Sequence, residues 1–282
     1  MAKKEVVKVE EASLPATLDL GSAIETYAAE NNVRDIESDE IITPRIKLLQ
    51  SGSPEVKKSS AERIEGAEEG MFCNSSSKTI YSGETGIYIV PCYHERIFNE
   101  WTPVDSGGGL VKRWGNDESF KTQGYIEEKG KWQKLGQDEK GKEVVVSEIV
   151  KTADYFVLVV NKETGVFYPA VIGFSGTKYK IHRKLANDID QADYTRKDGK
   201  TITPPSFYRV YKLTTVPESD GTNDWFNIKW ERAGNIEQLK NGSDVLAAAI
   251  EFRKLVLEGK AVAEQESQEF TREATTNDET RI

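Results

Sequence analysis

Residues 86–114, GIYIVPCYHERIFNEWTPVDSGGGLVKRW, decide how the rest of the chain is read. From Ile87 onward the side chains follow the two-residue period of a strand. That period predicts Ile87, Ile89, Tyr93, Ile97 and Trp101 on one face and Tyr88, Val90, Cys92, His94, Arg96 and Phe98 on the other. The second face mixes rings with positive charge. A Gly-rich turn follows at Ser106-Gly107-Gly108-Gly109, and the chain emerges at Lys112-Arg113-Trp114, where a ring again sits beside two cations. Such chemistry suits a flexible polyanion carrying flat bases better than it suits a small reacting molecule.

Downstream, Thr152 to Val160 and Val166 to Ile172 read as strands joined by a loop that ends in Gly165. A helix is predicted from Ser175 to Ile189, with Ser175 or Thr177 as cap. Lys178, Ile181, Leu185 and Ile189 fall on one face of it, and Lys180, Arg183, Lys184 and Asn187 lie outside that face. Phe207 to Thr215 and Trp225 to Glu231 form a second predicted hairpin, with Phe226, Ile228 and Trp230 as core. A final helix from Ser243 to Glu258 stops at Gly259. Upstream, order begins with the Pro-interrupted apolar run 41–49, and Met71 to Tyr81 supplies one or two short strands. Residues 102–150 are polar enough to be expected as a long excursion, with a hairpin turning at Lys129-Gly130 and no core of its own.

Strand, hairpin, helix, hairpin is the order of an OB-fold. The expected fold is therefore a β-rich α+β domain: an OB-fold-like five-stranded barrel with a long loop 1–2 insertion, a short helix between strands 3 and 4, and a C-terminal helix. Residues 41–258 would form that domain. Residues 1–40 read as a flexible acidic arm, within which the composition allows a short helix from Gly21 to Asn31, and residues 259–282 read as a disordered acidic tail.

The chain has 282 residues and a net charge of −9. The excess lies at the ends: residues 1–40 carry −6 and residues 258–282 carry −4, while residues 41–257 carry +1. A near-neutral body accommodates a basic groove, and acidic ends are expected either to compete for it and recruit replication or recombination proteins, or simply to keep the protein soluble. Two cysteines make no disulfide framework, and neither a secretory segment nor an apolar run of about 20 residues occurs. The expectation is a soluble protein of a reducing, cytoplasmic compartment, able to self-associate and independent of membranes.

Thr43-Pro44-Arg45-Ile46-Lys47-Leu48-Leu49-Gln50-Ser51 with Ser53-Pro54-Glu55-Val56, then Tyr93 and Phe98-Asn99-Glu100-Trp101 before the glycines, then Ser175-Gly176-Thr177-Lys178 leading to Arg183-Lys184, resemble a group of tailed-bacteriophage proteins. Some of these are regarded as single-stranded DNA-binding proteins. The resemblance covers roughly residues 41–235. It implies an accessory protein of phage DNA replication or recombination, acting in the infected cell. The sequence departs from the better-known phage single-strand binders at its end, Asn277-Asp278-Glu279-Thr280-Arg281-Ile282, where a denser acidic run with a terminal aromatic would be expected.

The candidate nucleic-acid-binding residues are Tyr88, His94, Arg96, Phe98, Lys112, Arg113, Trp114, Tyr179, Lys180, Arg183, Lys184, Tyr208, Lys212, Trp225 and Lys229. A base stacked on an exposed ring contributes about 1–3 kcal/mol regardless of its identity, and the cations would take phosphates. Each of these rings has the competing reading of a core residue. Cys73, Cys92, His94 and His182 are the one set that could form a zinc site, although the compact Cys pairs of structural sites are missing. Asp188, Asp190 and Asp193 are the one spacing that could serve a metal nuclease. No phosphate-binding loop and no zinc-protease or serine-hydrolase signature is present, so neither catalysis nor a cofactor is expected. The alternative to single-stranded DNA binding is a structural or protein-interaction β-domain of a phage particle.

Overall fold

The computed structural model describes residues 42–103, 106, 108–128 and 131–264. The expected arm at 1–40, its short helix, Gly107, the Lys129-Gly130 turn and the tail beyond 264 lie outside the described residues. The strands are β1 (Ile42–Thr43), β2 (Ile46–Leu48), β3 (Phe72–Asn74), β4 (Ile80–Tyr81), β5 (Ile87–Trp101), β6 (Leu110–Gly115), β7 (Ile126–Glu128), β8 (Lys131–Gln137), β9 (Glu143–Val160), β10 (Phe167–Ser175), β11 (Tyr194–Thr195), β12 (Thr201–Ile202), β13 (Arg209–Ser219), β14 (Asp224–Asn235) and β15 (Val262–Ala263). The helices are α1 (Lys178–Asp190) and α2 (Gly242–Leu257). No helix among the described residues is long and apolar enough to cross a membrane.

The expectation of a β-rich α+β fold holds, but the main sheet is not a five-stranded closed barrel. It is an open antiparallel sheet of eight strands in the order β14-β13-β5-β9-β8-β7, with β10 on β9 and β6 on β5. The reason is length. At about 3.3 Å per residue, β5 and β9 run for roughly 50 and 60 Å, well past the reach of β10 and β13. Their far ends recruit β6, β7 and β8, so the stretch read as an excursion is largely an extension of the sheet, and β9 begins at Glu143 rather than at Thr152.

That extension also carries its own small core, contrary to expectation. Phe98, Trp114, Phe120 and Ile149 are buried together, with Tyr125 and Trp132 packed against them. The larger cores lie on the two faces of the remaining sheet. Alternate residues of β9 divide between them: Ala153, Tyr155, Val157 and Val159 enter the first, and Phe156, Leu158 and Val160 enter the second. Helix α1 closes the first with Leu185, while α2 closes the second with Val245, Ala249 and Phe252. The chain leaves β10 for α1 through Gly176 at φ +54°, and Thr177 occupies the cap position in helical conformation without a side-chain bond. Gly86 admits β5 to the sheet at φ +71°; a Cβ there would lie 2.0 Å from the Leu213 carbonyl oxygen of β13.

The strict alternation expected along β5 fails at one place. Opposite β9, Pro91 pairs with Val157 and Tyr93 with Phe156, so Cys92 is an extra residue, a bulge. Beyond it the faces exchange. Tyr93 packs in the second cluster beside Val90 and Cys92, whereas His94 stacks on Tyr155 of the first.

Residues 44–50 run along the seam between β10 and β14. On one side Val171 donates from its N–H to the Pro44 carbonyl at 2.8 Å. On the other the Gln50 side-chain amide donates to and accepts from the Phe226 backbone, both at 2.9 Å. Between these contacts Arg45 is buried and grips the fully buried Asp154 of β9 with two bonds, at 2.6 and 3.1 Å. Its Nε donates to the Glu264 carbonyl at 2.7 Å. Residues 262–264, expected in the tail, are thus part of the fold, where β15 pairs in parallel with β1.

Removing one partner of such a pair strands the other charge without water. Asp154→Ala is expected to cost about 3–5 kcal/mol, and Arg45→Met with Asp154→Leu to recover most of it. Urea denaturation followed by tryptophan fluorescence measures both; a loss below about 1 kcal/mol in the single variant would contradict this account.

Candidate nucleic-acid interface

Strands β5 and β9 run beneath both the first core and the aromatic cluster of the extension, on the same face. Between the two lies a stretch floored by His94, Arg96 and Lys151, the last of which pairs with Phe98 in register. Helix α1 borders it on one side and the short 3₁₀ turn Ser119–Thr122 on the other.

At the α1 border the groups form a chain of contacts. The Tyr155 hydroxyl lies 2.8 Å from His182 Nδ1, and His94 stacks on the Tyr155 ring at 5.2 Å. The two imidazoles are 5.9 Å apart. Tyr179 is 4.9 Å from His182, and Lys151 Nζ stands 4.8 Å from the centre of the Tyr179 ring. Burial lowers the pKa of His182 to about 4, helped by His94, Lys151 and Arg183; burial and then Arg253 lower that of His94. Both rings are therefore neutral at pH 7, and His182 Nδ1 and the Tyr155 hydroxyl share one hydrogen bond whose direction follows the imidazole tautomer. Lys180, Arg183 and Lys184 are exposed one turn along α1, and among the described residues none has a carboxylate within ion-pairing distance. A surface with two reachable rings and several unneutralised cations is able to hold phosphates and stack bases.

Four of the residues singled out in the sequence meet here, His94, Arg96, Tyr179 and Arg183, while Lys180 and Lys184 are exposed further round α1. The others do not. Phe98 and Trp114 are interior to the aromatic cluster, 1% and 8% exposed, and present no face to a base. Trp114 donates its Nε1–H to the buried Glu100 carboxylate at 3.1 Å, and Lys112 Nζ covers its ring at 3.4 Å. Arg113 pairs at 2.8 Å with Glu95 of β5. Tyr88, Lys212, Lys229 and Trp225 share the opposite face of the sheet, where Tyr88 pairs with Lys212 in register and Glu218 and Glu231 interleave with the cations. Tyr208 packs on Tyr194 and accepts a bond from Asn235. Lys151, Tyr155 and Lys121 were missed. The usable signal for Lys151 was a lone cation directly before the apolar run of β9.

The zinc quartet does not assemble. Cys92 faces the second core, where burial pushes its thiol up to about 12, and the bulge turns His94 to the other face. Among the described residues no three His, Cys, Asp or Glu side chains converge. The aspartate spacing is also structural. Asp188 accepts from Arg209 at 3.1 Å, from Tyr211 at 2.8 Å and from Arg232. Burial raises its pKa, but those bonds and charges outweigh that and hold it below the usual carboxylate range. Asp190 and Asp193 are exposed and do not join it in a ligand set.

The lowered His182 pKa fixes a pH dependence. Between about 6.5 and 4 the unfolded chain takes up a proton that the folded chain refuses, so stability falls as pH drops through that window and levels off below it. Urea melts between pH 7 and 4 should show this fall and His182→Gln should reduce it; a His182 NMR titration midpoint near 6.5 would refute it.

Comparison with known proteins gives one kinship. Residues 10–262 match the family described as Pam3 phage gp34-like protein. No curated protein and no solved structure matches the chain. Since the match spans both helices and the whole eight-stranded sheet, the chain belongs to the Pam3 phage gp34-like family of phage proteins.

Proposed function

We propose that this protein binds single-stranded DNA without sequence preference and without catalysis, as an accessory of phage DNA replication or recombination in the cytoplasm of the infected cell. The observation that carries the reading is the saddle on β5 and β9, where His94, packed on Tyr155 by one face, and the half-exposed Tyr179 lie among Arg96, Lys151 and Arg183, with Lys180 and Lys184 exposed further round the same helix. Rings supply stacking that every base satisfies, and cations supply phosphate contacts. The strand path β10-β9-β5-β13-β14 supports it: we read this as an OB-fold barrel opened between its third and fifth strands, with residues 44–50 laid into the opening. Acidic ends would then recruit replication or recombination partners.

A second reading, a protein-interaction β-domain without nucleic-acid binding, is favoured by Leu246, Ile250 and Leu257. These are exposed along the outer side of α2.

Fluorescence titration with oligo-dT separates the two. If Lys180, Arg183 and Lys184 each take one phosphate and Arg96 and Lys151 share a fourth, log K falls with log salt at a slope of about −2.8, or roughly fiftyfold between 50 and 200 mM. Tyr179→Ala is expected to weaken binding by about 1–3 kcal/mol. Absence of binding at 50 mM salt would leave the interaction-domain reading.

A further inference from the structure

One carboxylate stands in the saddle where the cations converge. Glu118, at the head of the Ser119–Thr122 turn, places Oε1 3.1 Å from Arg96 Nη2 of β5 and accepts from Lys121 Nζ through Oε2. Its pKa is held below the usual range, chiefly by the Lys121 bond and further by the charges of Lys121, Arg96 and Lys151. Cations from the turn, β5 and β9 thus address a single anionic group. Lys121 also lies 5.0 Å from the centre of the half-exposed Trp132 ring.

We propose that Arg96, Lys121 and Lys151 form a phosphodiester subsite, occupied in the free protein by the Glu118 carboxylate and vacated when a strand binds. This rests on the single-stranded DNA reading above. A carboxylate and a phosphodiester carry the same charge and the same acceptor oxygens, so the cationic frame needs no rearrangement to exchange one for the other. The exchange is easy because Glu118 and Arg96 are both well exposed to solvent, with side chains 36% and 48% accessible, and ion pairs at that exposure hold weakly. Glu118 follows Asp117, which is tied to its own turn by two bonds to Ser119, so the carboxylate leaves without unwinding the segment. The subsite would place one phosphate between the stacking groups at α1 and the Trp132 ring, giving the strand a direction across β5 and β9.

The test is oligo-dT titration of the full chain and of Glu118→Gln across 50 to 300 mM salt. Losing the competing carboxylate should tighten binding by about 3- to 10-fold at low salt. The log K against log salt slope should change little, because the same phosphate is bound in both chains. Adding Arg96→Gln and Lys151→Gln to Glu118→Gln should remove the gain in affinity and make the slope shallower by roughly 0.7, one phosphate contact. If the unaltered chain binds but Glu118→Gln matches it in affinity, the subsite is overturned and the DNA reading stands; if neither binds, both fall. Circular dichroism melts of Glu118→Gln, an exposed and nearly isosteric change, confirm that the fold is retained.

Discussion

A guanidinium buried against a carboxylate holds the three ends of this fold in register. Arg45 comes from the segment 44–50, Asp154 from the central strand β9, and the carbonyl that accepts from the guanidinium Nε from Glu264, just past β15. Arg45 or Asp154 taken alone would be a buried charge without its partner, so each stabilises the fold only with the other in place. The geometry explains why the sheet tolerates an opening between β10 and β14. Residues 44–50 are pinned from beneath by Arg45 and from the sides by the Pro44 carbonyl and the Gln50 amide, and they cover the seam.

The second constraint is a single inserted residue. With the bulge at Cys92, β5 shows Ile87 and Ile89 to the first core and then turns His94, Arg96 and Phe98 to the same side. Without it those three would lie on the other face, beside Asp154 and away from α1. The bulge therefore decides that the rings and cations of β5 meet α1. It equally separates Cys92 from His94, which removes any zinc site built on their spacing.

Much of this was legible in the chain. Both hairpins, both helices and the apolar side of α1 follow from periodicity and from glycine stops at Gly165 and Gly259, because each is a local pattern. The bulge was legible too, had Pro91 been given weight: a proline cannot donate to a ladder and within a central strand it marks a bulge. The aromatic cluster was not legible, since Phe98, Trp114, Phe120, Tyr125 and Trp132 come from four segments spread over 35 residues and only their common burial identifies them. Rings beside cations read the same in sequence whether the cation flanks a free face or roofs a buried one. Lys112 over Trp114 is of the second kind, and Lys151 beside Tyr179, far apart in sequence, is closer to the first.

This distinction bears on how the charge is used. In the extension, Lys112, Lys121, Lys134 and Arg96 lie against ring faces and Arg96 and Lys121 share a carboxylate, so their field is spent largely within the lobe. On α1, Lys180, Arg183 and Lys184 have no such neighbours among the described residues, and their potential reaches outward for about a Debye length, roughly 8 Å at physiological salt. A body of net +1 can thus present a locally positive face, because neutralisation is uneven: cations on one side of the saddle are satisfied from within, and among the described residues those on the other are not. A ligand entering would meet the α1 side first by long-range attraction, and the extension only at contact distance.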